Sequence, residues 1–216
     1  MTLTPLLAWS LMGASLLLLV AYEVRVHWVG SSDPTRMARY AHARLRVDWV
    51  KALSAQPGFE IVAVQALRNS LMSATISAST SALAVMGAVS LSGSTLAANL
   101  GHWSTTLDAL HTSLQALLVL VLFASYVCSA MAMRYYGHAS FVMSMPVASA
   151  ERQSLNAVAA EHVRRAGLLY SWGLRLFLMV ASLVAGIVHP FAMLPVTLLL
   201  LVALHHFDKP AEIEVD

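Results

Sequence analysis

Residues 176–207 read LFLMVASLVAGIVHPFAMLPVTLLLLVALHHF, 32 positions without a charged side chain between Arg175 and Asp208. As one helix they would extend roughly 48 Å. A bilayer has a ~30 Å hydrocarbon core, which about 20 apolar residues cross. Gly186, Pro190 and Pro195 interrupt the run. Proline lacks the amide proton that a helix interior needs, so a kink belongs near Pro190. The first expectation is one long helix, near 167–206, kinked there. The alternative is a pair of short helices or a re-entrant hairpin, which would carry the acidic tail (Glu212, Glu214, Asp216) into the cytoplasm.

Three more charge-free windows lie upstream. They are Met1 to Tyr22, Asn69 to Leu107 and Ala109 to Met133, bounded by Glu23, Arg68, Asp108 and Arg134. Helices near 4–26, 62–92 and 109–134 account for them. The first run is preceded by no basic segment, which a signal peptide would need, so it is expected to be a retained span. The chain has 216 residues, 58% hydrophobic and 11% charged, with a mean hydropathy of +0.70. A soluble domain carries about 25% charged residues. A chain this poor in charge cannot cover its surface in water. That excludes an ordinary soluble enzyme, a nucleic-acid binder and a disordered tail. Outer-membrane strands would alternate with period 2 over about 10 residues, and no such pattern occurs. The expected fold is an all-α polytopic membrane helical bundle, residues 1–216 as one domain. It has four transmembrane helices, the last long and Pro-kinked. A single cysteine, Cys128, allows no intrachain disulfide.

The loops set the orientation. Residues 23–59 carry six Lys/Arg and residues 134–167 carry four, whereas residues 93–113 carry none. Basic loops stay in the cytoplasm. The expectation is an inner-membrane protein with both termini and the 93–113 loop outside. The two basic loops, about 27–60 and 134–167, read as helical. Asp33-Pro34 suits a helix start. Met37, Ala41 and Leu45 then form an apolar stripe, and Arg39, His42 and Arg46 a basic one. Such a helix either lies at the anionic inner leaflet or covers its own bundle. Pro57-Gly58 ends it. Ser149 can cap a second helix, which Glu161 and Arg165 support as an i,i+4 pair.

The second span is rich in hydroxyls: eleven Ser or Thr occur between Asn69 and Thr95. Asn69, Ser73, Ser77 and Thr80 fall on one small, polar stripe, continued by Ala84 and Gly87 and widened by Ser70 and Ser81. Small residues let helices approach closely and hydroxyls bond across the contact, so the stripe reads as a packing seam. The sharper alternative is a solute path, because hydroxyls replace part of an ion's hydration. Arg68 and Arg175 lie at membrane depth, where a charge is a functional candidate by default. They either attract an anion or a lipid phosphate, or are neutralised, Arg175 by Glu23 and Arg68 by reaching the headgroups. The absence of intramembrane carboxylates argues against a proton pump. His102, His111, His205 and His206 are expected outside, at spacings that do not suit a shared metal, so neither metal nor cofactor is expected. No Gly-rich phosphate loop and no nucleophile elbow occurs.

Four patches extend this reading. They are Arg46-Val47-Asp48-Trp49-Val50 and Val64-Gln65-Ala66-Leu67-Arg68-Asn69-Ser70-Leu71-Met72. The others are Arg134-Tyr135-Tyr136-Gly137-His138-Ala139-Ser140-Phe141 and Tyr170-Ser171-Trp172-Gly173-Leu174-Arg175. Together they resemble the membrane-protein family known as domain of unknown function 599, over nearly the whole chain. The resemblance implies four spans and an unsettled activity. It gives Arg68, Asn69, Tyr135 and Arg175 weight as shared features without assigning them a role.

The functional expectation is a non-catalytic protein, a homo-oligomeric channel or transporter for a small, anionic solute. The stripe at Asn69, Ser73, Ser77 and Thr80 would line the path, and Arg68 and Arg175 would set the inner electrostatics. The alternative is an accessory or scaffold subunit packed on other membrane proteins. The lipid bilayer is the expected partner in both cases, and nucleic acid in neither.

Overall fold

A computed structural model describes residues 5–33, 37–99 and 106–209. These fold into six α-helices: α1 (Pro5–Ser32), α2 (Ala38–Ser54), α3 (Glu60–Asn99), α4 (Thr106–Met143), α5 (Ala150–Val188) and α6 (Pro190–Asp208). All but α2 are long and apolar enough to cross a membrane. The protein is thus an all-helical, multi-pass membrane protein with five such helices, one more than the charge-free windows gave.

The difference lies at His189. Proline restricts the residue before it to extended backbone, and His189 has φ −158° and ψ 122°. Pro190 then occupies the first position of a new helix, where its missing N–H costs nothing. The chain does not kink; it turns back. Gly186 lies against Met193, Ser182 shares a hydrogen bond with Thr197, and Arg175 meets Asp208. Those pairings define an antiparallel hairpin of α5 and α6. The single kinked helix is therefore replaced by two, and α6, with 19 residues, is about 28 Å long. Its start packs with Ala8 of α1, and Tyr22 of α1 bonds Asp208 at its finish. The first residue of α1 and the last of α6 lie at opposite ends of the bundle, whereas four crossings had put both termini on one side.

Helix α4 packs against α3 and α5, α5 against α6, and α6 against α1. Lipid is as apolar as leucine, so close packing and hydrogen bonds must hold such helices together. The α3–α4–α5 contact supplies both. The Ser77 and Ser129 hydroxyls are 3.0 Å apart, as are those of Ser81 and Ser125. Ser125 donates onward to the Gly173 carbonyl at 2.8 Å, which leaves Ser81 as donor to Ser125. A Cβ on Gly173 would stand 2.6 Å from the Ser129 hydroxyl. Glycine is what admits this three-helix seam.

At the end that carries most of the Lys and Arg, hereafter the basic end, α3, α4 and α5 continue past the length a bilayer requires. With 39 residues, α5 is about 58 Å long. Leu67, Tyr136, Met143 and Val163 pack there with Val50 of α2. The buried Arg152 ties the region together. Its guanidinium donates to the Val142 carbonyl, to Asn156 at 2.7 Å and to Ser54 at 3.3 Å. Ser149 caps α5 by accepting the Arg152 amide at 3.2 Å. The expected start of α2 is displaced: its N-cap is Met37, and α1 runs on to Ser32.

Candidate functional site

Helix α2 runs antiparallel along the basic half of α5, with Arg39 over Trp172, Arg46 against Gly167 and Ser54 beside Asn156. Its buried face is Arg39, Ala43 and Val50, with Arg46 partly buried, at helical spacing. Of the apolar stripe, Leu45 is 64% exposed, whereas Met37 and Ala41 are half-buried. It is the basic stripe that supplies the buried Arg39. The cause is a set of buried carboxylates and an indole that α2 covers.

Glu23 of α1, Arg39 of α2, Arg175 of α5 and Asp208 of α6 meet at one point. Arg175 donates to Glu23 Oε1 at 2.6 Å and also to Asp208 Oδ1. Tyr22 donates to Asp208 Oδ2 at 2.7 Å. Arg175 is therefore fully neutralised. Arg39 is not. Its Nη2 is 3.6 Å from Glu23 Oε2, an ion-pair distance without a hydrogen bond. Its side chain is only 3% exposed, yet Nε, Nη1 and Nη2 have no acceptor. Its guanidinium lies 4.5 Å from the Trp172 ring centroid, a cation–π contact that offsets part of the lost hydration. Burial, and next the neighbouring Arg175, push the Arg39 pKa down from the ordinary arginine range, against the pull of Glu23. An unsatisfied buried donor costs about 1–3 kcal/mol, more when charged.

Arg39 borders a cavity of about 280 Å³ between α2, α5 and α6. Arg39, His42 and Arg46 line one side, and Tyr170, Ser171 and Arg175 another. Leu174, Leu178, Leu204 and Phe207 complete the wall. Arg46 reaches the cavity across Gly167, where a Cβ would overlap its guanidinium. Tyr170 and Leu174 also border a second cavity, of about 220 Å³, formed with Ser73, Ile76, Ser77, Thr80 and Phe177. One ridge of α5 thus separates a basic cavity from a second one whose open lining is mostly apolar.

The residues singled out from sequence fall into three groups. Glu23 and Arg175 come together. Ser73, Ser77 and Thr80 share the second cavity, but Ser77 also serves the seam with α4, and Ser73 and Thr80 donate to carbonyls one turn back. Asn69 and Arg68 are exposed on α3, and neither lines these cavities. His111 contacts the Ile187 carbonyl at 3.0 Å. His205 and His206 sit at the basic end with the last turn of α6, not with His111, and His102 lies outside the described residues. Among the described residues no group of three or more side chains suited to a metal occurs. Sequence reading missed Asp208 as a partner and Arg39 as the unsatisfied cation. The signal for Asp208 was the hairpin alternative, which returns it to the depth of Arg175.

No curated protein and no solved structure matches the chain. The family model described as "Protein of unknown function, DUF599" matches residues 10–212, and the chain belongs to that family.

Proposed function

We propose that this protein is an inner-membrane, non-catalytic channel or transporter for a small anionic solute, working as a homo-oligomer. The single observation that carries the reading is a cavity lined by Arg39, His42 and Arg46, next to a second cavity bordered by Ser73, Ser77 and Thr80 of α3. A guanidinium keeps its charge when desolvated and offers a fork suited to oxyanions. In this reading the solute enters at Arg39, His42 and Arg46 and passes the Tyr170–Leu174 ridge. It then follows Ser73, Ser77 and Thr80, whose open side a second protomer covers. The basic end faces the cytoplasm, so α6 finishes there and α1 starts outside. Arg175, held by two carboxylates, positions the site and does not contact the solute.

One observation favours an accessory or scaffold role instead: Ser77 and Ser81 are bonded to α4 within the protomer. Flux decides between the two. Proteoliposomes of the wild type are expected to conduct chloride or nitrate, and Arg39→Gln to lower the rate about tenfold or more. That factor corresponds to roughly 1.4 kcal/mol of lost binding. No wild-type flux at any tested potential would leave the scaffold reading in its place.

A further inference from the structure

We infer that the open face of α3 pairs, parallel and in register, with α3 of a second copy of this chain, about a two-fold axis along the membrane normal. The inference deepens the homo-oligomer part of the proposed function and rests on that part, not on the solute.

Helix α3 packs chiefly on α4. On its opposite face, exposed residues recur in unbroken steps of four and three from Val62 to Ser94. That is the heptad spacing of a left-handed helix pair. One row of this seam is small throughout: Ala66, Ser73, Thr80, Gly87 and Ser94. The other row includes Ile76 and Leu83, which are 65% and 68% exposed. Small side chains let two backbones close, and the larger row fills the space beside them. A Cβ on Gly87 would meet nothing within 4 Å, so nothing inside the protomer calls for glycine there.

Depth supplies the independent observation. Helix α6 ends at Asp208, which pairs with Arg175. Gly173 stands two residues before Arg175, against Ser129, and the Ser129 hydroxyl bonds that of Ser77. Ser77 therefore lies near the membrane boundary at the basic end. On the basic side of it, α3 exposes Ile61, Val62 and Met72; on the membrane side, it exposes Ser79, Thr80 and Ser90. Water disfavours the first set, and lipid gains nothing from the second. A helix face that suits neither solvent suits protein.

The occupant is a second copy because each seam residue can meet itself. No charged residue occurs from Asn69 to Asn99, and Arg68 lies off the seam. The Asn69 amide and the hydroxyls of Ser73 and Thr80 are each donor and acceptor, so an identical partner completes them. A polar residue in such a seam also fixes its register. The area suffices as well. Helix α3 has 40 residues, a strip about 60 Å long and ~10–12 Å wide. Counted over both copies that is roughly 1,300 Å², within the ~1,200–2,000 Å² of specific interfaces. Ser73, Ile76 and Thr80 belong both to the seam and to the cavity of about 220 Å³ against α5, so the second copy covers that cavity's open side.

The test is oxidative cross-linking of single cysteines in the full chain, in native membranes and a Cys128→Ala background. Thr80→Cys and Gly87→Cys lie on the small row and are expected to give a disulfide-linked product of twice the protomer mass. Val89→Cys, exposed on the same helix but off the seam, should not. Equal cross-linking at Val89, none at either seam position, or a seam product containing another polypeptide overturns the proposal. In mild detergent, Thr80→Leu and Gly87→Leu should each raise the dimer's dissociation constant at least about tenfold, because a larger side chain overpacks a close contact. Gly87→Ala should leave it unchanged, since the row already carries alanine at Ala66. A constant unmoved by both leucines also overturns the pairing. If a leucine variant fails to fold, cross-linking decides alone. Cross-linking without anion flux supports the pairing and removes transport. Flux from a chain that does not cross-link overturns the pairing and leaves transport standing.

Discussion

Arg175 brings three helices to one point through two carboxylates, and each of those carboxylates has a further partner. Breaking a buried pair leaves an uncompensated charge, which costs about 3–5 kcal/mol. Arg175→Gln leaves two carboxylates, Glu23 and Asp208 at 12% and 8% side-chain exposure, against the single guanidinium of Arg39. Its melting temperature in detergent should fall sharply. An unchanged melting temperature would mean that the cluster is not what joins α1, α5 and α6. Glu23 was legible as a partner because it is the acid that closes the first apolar run, at the depth where Arg175 opens the last. Asp208 was not, since a straight fourth span would put it on the far side of the membrane. Arg39 was read as one basic residue in a stripe of three. Nothing in sequence distinguishes an arginine that faces headgroups from one that faces an indole and a carboxylate.

Two glycines show what the helices require of their contacts. Gly173 sits where α5 crosses α4, with the Ser125 carbonyl 3.3 Å from where a Cβ would lie. Gly173→Ala must move backbone as well as the Ser129 hydroxyl, so it should destabilise by about 1–3 kcal/mol. Gly87 on α3 has open space at that position. Gly87→Ala should be neutral or stabilise by up to about 1 kcal/mol, through helix propensity alone. Equal effects of the two, measured by thermal unfolding in detergent, would refute the seam. The small, hydroxyl-rich stripe of α3 was legible as a packing face, and half of it is one: Ser77 and Ser81 meet α4, while Ser73 and Thr80 turn to the groove. Which half did which depended on the rotation of α3 against α4, which composition does not encode. Pro190 announced an interruption but not its angle. A kink and a turn share the same proline, and Gly186 against Met193 is what closes the turn.

At the scale of the molecule, the bundle joins a membrane part to an extension at the basic end, and the Arg39 cavity lies where they meet. The count of apolar windows and the Lys/Arg contrast made the class of fold legible. The fifth helix was hidden because the hairpin at His189 contains no charge to divide the run. The proposed function puts an anion-selective cavity, open to the cytoplasm, between α2, α5 and α6. Ser171 lines that cavity and is partly accessible, so it reports on both properties. The direct measurement is thiol labelling of Ser171→Cys, in a Cys128→Ala background, with anionic and cationic thiosulfonates of equal size. Inside-out and right-side-out vesicles are compared. Reaction is expected from the cytoplasmic face, with the anionic reagent faster, because a positively lined cleft concentrates anions. Reaction from the outer face, or a faster cationic reagent, would contradict it.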